Sequence, residues 1–205
     1  MSIFVMANPK GGVGKSTLST QLAGALASQG HAVALGDLDR QQSAHLWLGL
    51  RPAQAAVIEA WKVDPSAIGR PRKGLQHAVL DTPAGLSGGA LKDVLKLADK
   101  VLVPLQPSVF DMFATRDFLD QLAGMKRAQG LDIAIVGMRV DERTIAAERL
   151  REFVDSLGLP YLTGLRDTQN YVHLAAQGLT LFDVAPARVE KDLQQWQPLL
   201  RWLQD

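Results

Sequence analysis

Short apolar runs rich in β-branched residues alternate along the chain with longer stretches in which apolar residues recur at helical spacing. The runs predict strands over 3–7, 32–36, 78–81, 101–104 and 133–138, with a short last strand near 160–162. Between them, Leu18, Leu22, Ala25 and Leu26 lie on one helical face of 15–29, and 91–98 and 113–128 read the same way. Strand and helix in regular alternation predict the α/β class: a single domain with a mostly parallel, twisted sheet and crossover helices on both of its faces. Gly30, Gly130 and Gly158, the last followed by Pro160, stand where helices should end. No repeat, linker or low-complexity tract interrupts the pattern, so one domain is expected over 1–205. The least regular stretch is 51–74, with Pro52, Pro65 and Pro71 and the basic cluster Arg70, Arg72 and Lys73. It is expected to be an excursion from the fold without regular structure.

Composition narrows the chemistry. With 205 residues, 47% of them hydrophobic and 21% charged, the chain can bury one sizeable core. It has no cysteine, which excludes disulfides, thiolate zinc sites, cysteine nucleophiles and cysteine-ligated iron–sulfur clusters. A formal net charge of +1 calls for neither a nucleic acid nor an acidic partner, although a local basic patch is compatible with it. The N-terminus lacks the basic start and apolar run of a secretory signal. No stretch approaches the roughly 20 apolar residues that span a bilayer. A cytoplasmic protein is the expectation.

The strongest chemical signal is Lys10-Gly11-Gly12-Val13-Gly14-Lys15-Ser16-Thr17, between the first predicted strand and the first predicted helix. Glycines let a backbone wrap closely round an anion, and the helix N-terminus adds its positive dipole end. In that setting Lys15 would reach the β and γ phosphates of a nucleotide, and Ser16 would offer its hydroxyl to Mg²⁺. The bland alternative is a tight turn with both lysines solvated. The loop departs from the ordinary phosphate-loop pattern, because Pro9 holds the first glycine position and a second lysine, Lys10, precedes the glycines.

Two acidic segments follow. Asp37 and Asp39, in Gly36-Asp37-Leu38-Asp39-Arg40-Gln41-Gln42-Ser43, lie beyond the second strand, where carboxylates of a parallel sheet face the ligand crevice. Asp39 can also be read as only a cap for the next helix. The apolar run Ala78-Val79-Leu80 ends in Asp81 and a turn, Thr82-Pro83-Ala84-Gly85, which alone would mark a strand end.

Taken together, these residues resemble the deviant Walker-A P-loop ATPases of the ParA/MinD superfamily, most of all the small plasmid-partition (ParF-like) type. The resemblance covers essentially the whole chain. It implies ATP and Mg²⁺ as cofactors, with residues 10–17 on the nucleotide: Lys10, Gly11, Gly12, Val13, Gly14, Lys15, Ser16 and Thr17. It makes Lys10, Lys15 and Asp39 the catalytic set and Ser16, Asp39 and Asp81 the residues around the metal. Lys10 would reach the phosphates of a partner subunit in an ATP-bound homodimer, and Asp39 would act on the attacking water. Gly85 would sit near the γ-phosphate. The run Val103 to Ser108 with Asp111 also looks like the family's strand and loop, and Arg139, after the 133–138 strand, stands where residues next to the base usually lie.

The resemblance further implies a cycle: dimerisation on ATP, binding of nonspecific DNA, and hydrolysis stimulated by a small ParB-like or ParG-like centromere-binding protein. The cargo would be a plasmid, a chromosome or a protein assembly, and the ATP-bound form would associate with the nucleoid. Candidate DNA contacts are Arg166, Arg188, Lys191 and the Arg70, Arg72, Lys73 cluster, each of which also reads as a solvated charge. At the C-terminus Val189, Leu193, Trp196, Leu200 and Leu203 form an apolar stripe that would suit a membrane face. Its basic residues Arg188, Lys191 and Arg201 are cancelled by Glu190, Asp192 and Asp205, which favours packing on the sheet and no membrane partner. The competing function is an ATP-dependent metabolic enzyme of the same superfamily, activating a carboxylate as dethiobiotin synthetase does.

Overall fold

A computed structural model describes residues 1–126 and 128–204. Seven strands appear among them: β1 (Ser2–Met6), β2 (Val33–Asp37), β3 (Ile58–Trp61), β4 (His77–Asp81), β5 (Lys100–Leu105), β6 (Asp132–Met138) and β7 (Tyr161–Leu165). They form one sheet in the order β3-β2-β4-β1-β5-β6-β7, and every pairing is parallel. The connections carry α1 (Lys15–Ser28), α2 (Ser43–Leu50), α3 (Gly88–Leu97), α4 (Val109–Ala123), α5 (Ile145–Leu157), α6 (Gln169–Ala175) and α7 (Pro186–Gln204).

The alternation of side chains along each strand divides the core in two. Ile3 and Val5 of β1 face one way, into a cluster with Leu91 and Val94 of α3, Phe118 of α4 and Leu150 of α5. Phe4 and Met6 face the other way, into a cluster with Leu18 and Leu22 of α1, Trp47 of α2, Leu174 of α6 and Trp196 of α7. Both faces of the sheet are covered, which is why its central strands are apolar along their middles and carry polar residues only at their ends. Helix α1 is buried nearly all round, from Leu18 to Ala27, so it runs through the interior with no broad solvent face.

Three expectations need correction. The stretch 51–74 is not wholly irregular, because β3 extends the sheet beside β2, with Ile58 and Trp61 buried and Glu59 and Ala60 less so. Helix α4 stops at Ala123, with Gly124 as its cap, well before residue 128. The apolar spacing that suggested a longer helix continues because Met125 and Ala128 pack on the core from a turn. Residue 127 of that expected helix lies outside the described residues. The last strand is longer than expected and lies at Tyr161–Leu165.

The C-terminal stripe packs on the sheet. Val189, Trp196, Leu199 and Leu200 are buried, and Leu193 and Leu203 pack against the same cluster. A non-helical residue, Val189 (φ −133), kinks α7 near its start. Asp205, counted among the cancelling charges, lies outside the described residues. Among the described residues no helix is long and apolar enough to cross a membrane.

Candidate nucleotide site

The C-terminal ends of the central strands converge on the loop between β1 and α1. Gly12 (φ 76) and Gly14 (φ 101) take left-handed backbone conformations there, and a Cβ on Gly14 would lie 2.7 Å from Met138 Cε, so the loop closes on the end of β6. Asn8, which the sequence reading passed over, bolts the loop in place. Its buried amide donates to the Pro104 carbonyl and to Thr115 Oγ1, both at 2.9 Å, while its Oδ1 accepts the Lys10 N–H at 2.9 Å. From the other side the Gly85 N–H donates to the Pro9 carbonyl at 2.9 Å, and Gln106 Nε2 donates to the Gly12 carbonyl at 2.9 Å.

Lys15 is 7% exposed, and its Nζ donates to the Lys10 carbonyl at 2.7 Å. Burial lowers its pKa, and the charges of Asp81 and Asp39 oppose that shift. Asp81 closes β4 in register with Met6 of β1 and Asp37 of β2. Its Oδ1 accepts the Ser19 hydroxyl at 3.2 Å, whereas its buried Oδ2 has no hydrogen-bond partner among the described residues. Burial pushes this carboxyl up to about 7, reinforced by Asp37 and opposed by Ser16, Ser19 and Lys15. A buried acceptor left over beside a serine and a lysine is a group awaiting a cation or a donor.

The two aspartates after β2 divide their work. Asp37, 5% exposed, is the helix cap: Oδ1 accepts the Asp39 N–H at 2.9 Å, and Oδ2 accepts the N–H groups of Ala44 at 2.9 Å and His45 at 3.3 Å. Asp39 is therefore not the cap of α2. Its Oδ1 accepts the Gln41 N–H at 2.9 Å, and the residue lines the cavity over the glycine loop.

That cavity, about 380 Å³, is bounded by Gly11, Gly12, Gly14, Lys15, Ser16, Thr17, Asp39, Gln41, Ser43, Thr82, Ala84 and Arg139. A second, more apolar cavity of about 260 Å³ adjoins it and shares Gly14, Thr17 and Arg139. Val13, Gln106, Met138 and the segment from Leu165 to Ala175 complete its wall. The pair offers one polar and one apolar compartment joined at the head of α1. Arg139 sits at the junction, exposed and in a left-handed conformation (φ 54).

The remaining candidates are dispersed. Lys10 lines neither cavity; its Nζ lies 3.9 Å from Asp111 Oδ1 at the edge of α4. Arg166 lines the apolar cavity, and its Nε donates to the fully buried Asp192 at 2.5 Å, so it does not stand free on the surface. Arg188 and Lys191 are exposed on α7. Arg72 pairs with Glu59 of β3, and Arg70 and Lys73 are exposed beside it. The sequence reading missed the wall formed by Leu165 to Ala175, because it is assembled from β7 and α6 and carries no motif. Among the described residues no cluster of three or more His, Cys, Asp or Glu side chains forms a metal cage.

A parallel sheet with a glycine loop between its central strand and the first helix, and with two carboxylates at the neighbouring strand ends, defines a P-loop nucleotide-binding protein. The sequence profile of the CobQ/CobB/MinD/ParA nucleotide binding domain matches residues 4–182, and the chain belongs to that family. Maintenance of carboxysome distribution protein A of Halothiobacillus neapolitanus is 25% identical over 188 residues, covering 88% of this chain and 87% of its own length. The chromosome-partitioning ATPase Soj of Thermus thermophilus is 28% identical over 182 residues, 72% of this chain and 73% of its own. The solved MinD cell division protein of Aquifex aeolicus shares the fold with a TM-score of 0.77 at 19% identity, over 100% of this chain and 97% of that one.

Proposed function

We propose that the chain is a positioning ATPase of the ParA/MinD type that binds Mg-ATP, dimerises on it and hydrolyses it under the control of a partner protein. The observation that carries this reading is the joined pair of cavities. The polar one fits a triphosphate, and the apolar one, opening from the same helix N-terminus, fits a base and ribose.

Within it Lys15 is the cation for the β and γ phosphates, already buried and held at the loop. Ser16 and Asp81 fit a Mg²⁺ ion, since one offers a hydroxyl and the other an unpartnered carboxylate oxygen, and such an ion takes its remaining oxygens from phosphate and water. Bound there, Mg²⁺ would neutralise charge on the phosphates as the bond between them breaks. Asp39 faces the same space with one oxygen engaged by its own loop, leaving the other to orient a water or approach the metal shell. Gly11 to Thr17 supply backbone N–H groups, and Arg139 borders both compartments.

Lys10 supports a dimer. It turns away from its own cavity, beside a face of α4 where Val109, Phe110 and Phe113 are exposed. An apolar face next to a cation held only by a long ion pair suits a second copy whose phosphates Lys10 would reach. Nonspecific DNA would meet the exposed Arg188 and Lys191 of α7. The relatives are named for carboxysome distribution, chromosome partitioning and cell division. This chain is proposed to position a cargo of the same general kind, through a ParB-like or ParG-like partner.

The test is light scattering with Mg-ADP and with a slowly hydrolysed ATP analogue, then binding of each form to nonspecific duplex DNA at two salt concentrations. A dimer formed only with the analogue, binding DNA more weakly at high salt, is the expected result. A monomer or constitutive dimer indifferent to DNA would overturn the reading in favour of a metabolic ATP-dependent enzyme.

A further inference from the structure

Three side chains of α7 reach inward to the far wall of the apolar cavity. Asp192 is fully buried: its Oδ1 accepts Arg166 Nε at 2.5 Å and its Oδ2 accepts Asn170 Nδ2 at 2.6 Å. Gln195 Oε1 accepts the Arg166 N–H at 3.0 Å. Trp196, also fully buried and edge-on to Phe182, donates Nε1 to the Tyr171 hydroxyl at 3.0 Å. Arg166 and Tyr171 both line the cavity.

A carboxylate with no exposure is an expensive choice for packing a helix, because apolar side chains would do so without the desolvation cost. Its use is directional. Two donors on separate elements, the end of β7 and the start of α6, are held by its two oxygens, which fixes the Arg166 side chain and the first turn of the helix that carries Tyr171. A wall set in place before a ligand arrives loses less entropy when it binds.

We propose that Asp192 is a positioning residue for the base-and-ribose end of the nucleotide, and that α7 is thereby an integral part of the nucleotide site. Asp192 touches no ligand; it acts through Arg166, Asn170 and the wall they carry. The inference rests on the assignment of the apolar cavity to the nucleoside.

The experiment compares binding of ATP with binding of inorganic tripolyphosphate, which uses the phosphate loop alone. If wild type binds ATP no more tightly than tripolyphosphate, the nucleoside assignment fails and the inference fails with it. Given a wild-type preference for ATP, Asp192→Asn turns one acceptor into an amide facing donors. It should weaken ATP by about tenfold. Tripolyphosphate affinity should stay as in wild type. Arg166→Ala should weaken ATP comparably, and the double variant by less than the two losses combined, since the pair shares one contact. Unchanged ATP affinity in Asp192→Asn, or an equal loss for both ligands, would overturn the proposal while leaving the nucleoside assignment standing. Should Asp192→Asn fail to fold, Asn170→Ala releases one of the two donors that Asp192 holds and leaves its carboxylate paired with Arg166. Its ATP affinity should fall with tripolyphosphate binding intact, and wild-type ATP affinity in that variant would overturn the proposal.

Discussion

Lys15 donates its Nζ to the Lys10 carbonyl at 2.7 Å, while the Lys10 side chain turns outward to Asp111. The two lysines of one loop thus serve opposite sides of it. Lys15 stands in the wall of the polar cavity, and Lys10 lies outside it against the face of α4.

Replacing Lys15 by Ala removes the one lysine that lines the polar cavity among the described residues. Charge-assisted contacts to phosphate are among the stronger polar interactions, so ATP affinity should fall by about 100-fold or more. Isothermal titration calorimetry with Mg-ATP checks this, and retained tight affinity would remove the loop from the nucleotide site.

Lys10→Ala should behave differently. The side chain is 41% exposed and its ion pair is long, so the fold and the binding of ATP by one subunit should change little. ATP-dependent dimerisation should be lost. Light scattering of the ATP-analogue form decides it, and a normal dimer would contradict the reach of Lys10 across subunits.

The pair Asp37 and Asp39 separates structure from chemistry. Asp37→Ala strips a buried carboxylate from three backbone donors, one at Asp39 and two at the start of α2. It should cost about 2 kcal/mol or more in urea unfolding. Asp39→Ala should leave stability close to wild type, keep ATP binding and slow hydrolysis, trapping the ATP-bound dimer. Normal turnover in Asp39→Ala would exclude it from the mechanism.

How much of this could be read from the sequence depended on whether a feature was local. Lys10 to Thr17 is a contiguous pattern between strand and helix and stands out by spacing, whereas Asp81 ends an apolar run that alone marks only a strand end and gains meaning beside the other two motifs. The short β3 was hidden because only Ile58 and Trp61 of its four residues are buried, at the sheet edge amid prolines. The end of α4 was misjudged because burial of Met125 and Ala128 prolongs the apolar rhythm after Gly124 has closed the helix. Asn8 and the wall from Leu165 to Ala175 gave no signal at all. A single buried amide has no period, and the wall exists only once β6, β7, α6 and α7 are brought together. Arg166 illustrates the same limit, since as a letter it is one more basic residue and in the fold it is bound to Asp192.

The corner between α2 and the C-terminal segment gives a prediction in pH. The Arg51 guanidinium donates to both oxygens of Asp183, at 2.9 and 2.7 Å, and the two side chains are 5% and 4% exposed. Thr180 adds its hydroxyl at 2.6 Å and its N–H at 2.8 Å. Burial alone would raise the Asp183 pKa, but these hydrogen bonds from Arg51 and Thr180 outweigh it and hold the carboxyl below the ordinary carboxylate value of 3.8. A folded pKa below the unfolded one means that the unfolded chain binds the proton more readily. The stability gained from Asp183 is therefore complete above the unfolded pKa and is lost as pH falls through the folded one. Asp183→Asn leaves Arg51 buried without its charge partner, and should cost about 3–5 kcal/mol at neutral pH. The gap between wild type and variant should then narrow below the ordinary carboxylate range, where wild type loses what the variant never had. Urea unfolding of both proteins from pH 7 down to the lowest pH at which they remain folded measures it. A gap that stays constant through acid would show that the ion pair does not set the charge state of Asp183.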